Sequence, residues 1–254
     1  MDIATVLGLL VGIGAVAIAF FLEGGALKSV FQLPAMILVI FGTIGAATVT
    51  TSLSTIKNIP SYLKIAFYSK MEQPFELINR LVGMAEKARR EGILGLEDEL
   101  KSDDTPFFRK AWQLVIDGTE VTILRSILET EVAYISERHS KGQSFFQKLG
   151  GFSPTLGIIG TVLGLINALG NTGDASSMAS HIAAAFIATL WGISLANLLY
   201  LPISDKLRFR NEEEMKDLEL IIEGVISIQS GENPRVIRTK LLSFVTPRDR
   251  RTKR

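Results

Sequence analysis

LGGFSPTLGIIGTVLGLINALG, residues 149–170, holds no Asp, Glu, Lys or Arg. A helix needs about 20 predominantly apolar residues to traverse a hydrocarbon core of about 30 Å, where no water satisfies exposed backbone groups. Working outward, three more such runs occur, Ile3 to Leu22, Phe31 to Leu53 and His181 to Ile203, all without those four residue types. The sequence therefore predicts an all-α chain with four transmembrane helices. A length of 254 residues, 47% of them apolar and 21% charged, suits a protein divided between lipid and water. The first run is long for the core of a signal peptide, has no basic residues ahead of it and lacks a small-x-small cleavage site, so it reads as a span. The absence of cysteine excludes disulfides and thiolate metal sites.

Charge sets the expected topology. Of the 27 Lys and Arg residues, 14 lie between Ser52 and Lys148, 12 lie from Ser204 onward, and Lys28 stands alone. Basic residues mark the cytoplasmic side, and Lys57, Lys64, Lys141, Lys148, Lys206, Arg208 and Arg210 lie close to the ends of the runs. The expectation is a multi-pass membrane protein with both termini cytoplasmic and two short outer loops, 23–30 and 171–180. Four segments follow: spans one and two over 1–53, a cytoplasmic helical domain over 54–148, spans three and four over 149–203, and a helical cytoplasmic tail over 204–254. The middle segment also carries 14 acidic residues, so a nucleic-acid role is excluded as a reading of its charge.

Within the middle segment, Ser61 to Tyr68 sets Tyr62, Ile65, Ala66 and Phe67 beside Lys64, as an interfacial helix does. Pro74 to Glu91 has helical apolar spacing and Gly92 to stop it; Leu94 to Lys101 is read as a second helix. Thr105 and Pro106 open a third, which ends at Asp117-Gly118. From Glu120 to Lys148 only Gly142 interrupts the pattern, so that helix has little to stop it before the third span. Arg89, Arg90 and Glu91 lie close to Glu97, Asp98 and Glu99, which reads either as ordinary solvated charge or as a polar docking surface.

In the third span Pro154, Gly157, Thr161, Gly164 and Ala168 share a helix face; in the fourth, Ala185, Thr189, Gly192 and Ala196 do. Such seams of small residues let membrane helices approach closely. Thr161 and Thr189 add hydroxyls to those seams. Pro154 and Pro202 remove helix hydrogen bonds near the cytoplasmic ends, as hinges or as shapers of helix ends. His181 reads as a solvated side chain at the outer end of its span. Ion relays at membrane depth need an ionisable group and these spans hold no carboxylate, so any ion path requires an acid from a partner. No nucleophile elbow, phosphate loop, metal-ligand cluster or pair of catalytic carboxylates occurs, and enzyme readings have no positive support.

Four stretches, ARREGILGLE (88–97), SPTLGIIGTVLGL (153–165), LPISDKL (201–207), and EGV (223–225) with GENPR (231–235), resemble the MotA/PomA family of flagellar stator proteins. The resemblance covers nearly the whole chain in order. It implies a pentamer around two copies of a MotB-like, single-span partner whose aspartate supplies the missing acid, with ion flow turned into torque on the rotor protein FliG. It also implies that Arg89, Arg90, Glu97 and Asp98 face the rotor, that Pro154 and Pro202 couple ion binding to movement, that Thr161 and Thr189 line the ion path, and that the small seams face the partner helix. No cofactor is implied beyond the transported sodium or proton, and the threonine pair is similar to sodium-driven members. The related TolQ/ExbB energisers of envelope transport usually have three spans with the N-terminus outside, unlike this chain. A transporter with its own pocket would need repeats or membrane-embedded charge, neither of which appears. A scaffold without ion flow is permitted by the physics alone.

Overall fold

The computed structural model describes residues 2–68, 73–97 and 105–246, and among them there are helices and turns but no strand. The protein is all-α. Its helices are α1 (Ile3–Leu22), α2 (Leu33–Val49), α3 (Leu53–Lys57), α4 (Ile59–Tyr68), α5 (Pro74–Glu91), α6 (Pro106–Ile116), α7 (Val121–Gly170), α8 (Ala175–Gln229) and α9 (Pro234–Leu241). They build two compact units, Met1–Ser69 with His139–Arg210 and Lys70–Arg138 with Asn211–Arg254.

The first unit holds the apolar helices. Helices α1, α7 and α8 are long and apolar enough to cross a membrane, while α2 is apolar but shorter. Its expected reach from Phe31 to Leu53 is trimmed at both ends. Gln32 is extended and Pro34 occupies the first turn; beyond Val49 the hydroxyl of Thr50 bonds the carbonyl of Ala47, and Ser52 caps α3 instead. Lys148 Nζ donates to the carbonyl oxygen of Thr50 at 2.9 Å, so a cation closes the carbonyl end of α2.

Helix α7 runs 50 residues without a break at either Gly142 or Pro154. Gly142 is a contact, not a breaker: a Cβ there would meet the Tyr62 ring at 2.9 Å, so α4 presses an aromatic face onto the helix where a side chain is missing. Around it Phe145, Phe146, Leu149, Ile203, Leu207 and Ala66 form a buried cluster. The expected outer loop of 171–180 is shorter than its sequence, because Asp174 caps α8 by accepting from the Ser176 N–H at 3.0 Å.

In the second unit, α5 has the bounds expected from Pro74 and Gly92. Helix α6 begins after Thr105 and stops at Asp117, with Gly118 at φ 74°. Of the helix expected over Leu94 to Lys101, the structure has a single 3-10 turn at Ile93–Leu96 and a helical Glu97; 98–101 lie outside the described residues. Trp112, Phe108, Leu81, Leu124, Ile237 and Leu241 are fully buried in one core. Arg80 lays its guanidinium 3.9 Å from the centre of the Phe108 ring, a cation–π contact. Gly224 admits Leu81: a Cβ there would lie 2.7 Å from a Leu81 methyl.

Candidate functional site

The small seams of α7 and α8 close on each other. A Cβ on Gly157 would lie 3.0 Å from the Ala188 carbonyl oxygen and 3.1 Å from Thr189 Cα; one on Gly192 would lie 2.7 Å from the Ser153 carbonyl oxygen. Gly164 meets Ala185 in the same way. The expectation that these seams face a partner helix is corrected here, since backbone already fills them. Ser153, fully buried, adds a hydroxyl bond to the Gly192 carbonyl at 2.9 Å.

Thr161 and Thr189 meet across this contact, hydroxyl to hydroxyl. The Thr161 hydroxyl also lies 3.1 Å from the Gly157 carbonyl and 3.2 Å from that of Ala185, and the Thr189 hydroxyl 3.5 Å from that of Gly157. Four oxygens thus gather around two hydroxyl protons, in a half-buried place without a formal charge. Such a cluster offers lone pairs to a cation and lacks the acid that would neutralise it.

Pro154 and Pro202 free the carbonyls four residues before them, those of Gly150 and Leu198. Gly150 lies under the Leu201 side chain, which would be 2.4 Å from a Cβ, so both weakened turns occur at one level of the α7–α8 contact. Pro154 is half-buried within its helix; Pro202 is exposed and follows a π turn at Ala196–Tyr200. There the Asn197 side chain donates to the Ile193 carbonyl at 2.9 Å. His181 is a half-buried residue of α8 whose carbonyl oxygen faces Gly164.

Arg89 and Arg90 lie exposed in the last turn of α5, where the helix dipole favours cations, and Gly92 at φ 80° ends the helix. Glu97 is exposed after the 3-10 turn. Among the described residues Arg89, Arg90 and Glu97 have no ion-pair partner. Asp98 lies outside the described residues.

Residues 6–92 match the motility protein A N-terminal family and residues 99–220 the MotA/TolQ/ExbB proton channel family. Over 250 residues the chain is 37% identical to motility protein A of Borreliella burgdorferi, covering 98% of this chain and 96% of that protein. The chain belongs to the motility protein A family. It is 34% identical to chemotaxis protein PomA of Vibrio alginolyticus, with 96% of each chain covered. The solved flagellar MotAB stator complex from Bacillus subtilis superposes with a TM-score of 0.92 at 32% identity, over 97% of each chain. This member of the motility protein A family is a flagellar stator subunit and a membrane protein.

Two charged groups of this motility protein A homologue escape sequence reasoning. Asp2 accepts from Lys206 at 2.5 Å and from Arg210 at 2.7 Å while capping α1 through the Thr5 N–H. The Lys206 hydrogen bond, working against burial and helped by Thr5 and Arg210, holds its carboxyl down at about 2. Glu223, from the EGV stretch, bonds Lys240 on one oxygen and Arg125 at 3.1 Å on the other, tying α9 and α7 to α8. Burial pushes its carboxyl up, but the Lys240 and Arg125 bonds outweigh it and the group sits below the usual range. Asp2 was detectable as the lone acid ahead of the first span; its partners, some two hundred residues on, were not.

Proposed function

We propose that five copies of this chain surround a MotB-like single-span partner in the bacterial inner membrane, conduct a cation along that interface and drive the rotor protein FliG. Four spans with cytoplasmic termini accompany this reading, α2 crossing as the short second span. The observation that carries it is the Thr161–Thr189 oxygen cluster, set among spans without a carboxylate. A path with donors and no acid is half of a channel, and a partner's aspartate completes it. The likeness to solved MotAB complexes supports the same partner. Hydroxyl and carbonyl oxygens at that cluster favour sodium over protons, because they can replace part of a cation's water.

In this reading Pro154 and Pro202 transmit ion binding to α7 and α8. Arg89, Arg90, Glu97 and Asp98 push on the rotor, and the exposure of the first three at the end of α5 and after the 3-10 turn supports that assignment. The test is swimming speed of a stator-deleted strain carrying this chain with its partner, with and without sodium at fixed proton motive force. Speed that follows sodium, and falls in Glu97→Lys, supports the proposal. Speed indifferent to sodium assigns protons instead, and no motility with any compatible partner removes the rotor assignment in favour of a TolQ/ExbB-type energiser.

A further inference from the structure

Within the first unit, small residues on α1 leave a groove against α8. Its walls are Ala4, Gly8 and Leu9 on α1 and Leu198, Pro202 and Ile203 on α8, around a volume of about 450 Å³. The two sets repeat at helical spacing, so each is one face of its helix. At Gly12 a Cβ would lie 3.3 Å from a Leu198 methyl, and there the groove closes. At Gly8, one turn nearer the basic end, a Cβ would meet nothing within 4 Å. From Ala4 to Gly12 the α1 wall rises about 12 Å, less than half of a hydrocarbon core of about 30 Å, so the groove belongs to one leaflet.

The mouth is charged. Lys206 and Asp205 line it beside the exposed ring of Phe209, and Thr5 and Asn197 complete the polar lining. Lys206 Nζ stands 5.3 Å from the centre of the Phe209 ring, and one of its three donors goes to Asp2. Arg210 bonds the same Asp2 and Arg208 bonds Asp205 at 3.2 Å, so three cations share two acids. Exposed Lys64 adds a fourth cation, one turn before Phe67, whose carbonyl accepts from the Asp2 N–H.

We infer that this groove seats one acyl chain of an anionic phospholipid whose phosphate rests on Lys206 at the mouth. Depth selects the ligand. An apolar slot that opens at the cationic end of charge-free helices matches a molecule with its tail in hydrocarbon and its anion at the edge. A second copy of this chain brings no such anion: Asp2 and Asp205 are bonded within their own copy, and Glu213, farther along α8, is bonded by Lys216. The surplus of cations favours a net negative headgroup over a zwitterionic one. The lipid fills the space that Gly8 leaves and gives Lys206 and Arg210 a second anion. The inference goes beyond the stator reading and does not depend on it, because it uses only the membrane character of α1 and α8.

The experiment purifies the full chain with its MotB-like partner in detergent, strips native lipid, and titrates in dioleoyl phosphatidylglycerol or dioleoyl phosphatidylcholine, with bound lipid counted by native mass spectrometry. Phosphatidylglycerol should bind roughly fivefold more tightly, the effect of about one cation near an anionic headgroup. Gly8→Leu fills the slot and should weaken both lipids roughly tenfold. Gly14→Leu, on α1 but outside the groove and also without a neighbour within 4 Å, should stay within about twofold of the parent. Lys206→Met leaves Asp2 its bond to Arg210 and should abolish the preference for phosphatidylglycerol. Equal affinity for the two lipids in the parent, or parent-like binding in Gly8→Leu, overturns the inference. Absence of any bound lipid in the parent overturns it in favour of a second copy closing the slot. Co-purification of the partner and the melting temperature report whether Gly8→Leu folds; should it not, a full phosphatidylglycerol preference in Lys206→Met overturns the inference by itself. None of these results decides the stator reading, which motility tests separately.

Discussion

Arg210 reaches back 208 positions to donate to Asp2 Oδ2 at 2.7 Å, on the same oxygen that Lys206 contacts. The Arg210 and Lys206 side chains are only 11% and 20% exposed, so two cations depend on one carboxylate that also caps α1. The backbone N–H of Asp2 further bonds the Phe67 carbonyl at 2.8 Å, joining α4 to the same knot.

Asp2→Asn should therefore destabilise the folded chain by about 1–3 kcal/mol, because it leaves largely buried cations without their anion. Its pH dependence has a definite sign. The carboxyl is lowered from near 3.8 to about 2, so its contribution is complete above pH 3.8 and disappears as pH falls through about 2. Thermal melting in detergent between pH 7 and pH 2 should show a constant gap between parent and variant at the upper end and a closing gap at the lower. A gap that persists unchanged to pH 2 contradicts this account.

Gly157→Ala and Gly192→Ala each insert a methyl against backbone atoms, which cannot move aside as a side-chain tip does. A cost of about 1–3 kcal/mol and a matching loss of assembled complex is expected. Gly83→Ala, in α5, meets nothing within 4 Å and should stabilise by about 0.5–1 kcal/mol. Equal effects at all three positions would refute the close-contact argument.

Glu223→Gln removes the anion shared by Lys240 and Arg125, whose side chains are 40% and 42% exposed. Partial exposure limits the expected loss to about 1–2 kcal/mol. A double-mutant cycle with Lys240→Met should show coupling, and the stability difference should narrow as pH falls below the ordinary glutamate value of 4.5, since the folded carboxyl titrates lower than the unfolded one.

Thr189→Val keeps the shape of the side chain and deletes one oxygen of the cluster. Under the sodium reading it should raise the sodium concentration for half-maximal swimming speed roughly tenfold, while Thr189→Ser stays near the parent. An unchanged sodium dependence in Thr189→Val removes that hydroxyl from the path.

What could be read from the sequence was what is local. Pro74 and Gly92 bound α5, and Asp117-Gly118 ends α6, because first-turn proline and left-handed glycine act on their own neighbours. The apolar character of α1, α7 and α8 was equally plain. Apolarity overran α2, since Thr50 and Ser52 end the helix with hydroxyl bonds that hydropathy does not weigh. Gly142 looked like a breaker because the Tyr62 ring that fills its place arrives from another helix. At the site, the spacing brought Thr161 and Thr189 onto seams, and the structure joined them. That the seams face each other, and that Asp2 meets Lys206 and Arg210, follows from pairings between distant segments, which one sequence does not encode legibly.

The π turn at Ala196–Tyr200 gives α8 a change of phase. One added residue advances every later side chain by about 100° around the axis without ending the rod. Upstream, Ala185, Thr189 and Gly192 keep the orientation that α7 demands; downstream, Lys206 and Arg210 keep the different one that Asp2 demands. A deletion within Ala196–Tyr200 would make the pitch uniform and swing both cations off their anion, although every residue that touches Asp2 remained in the chain.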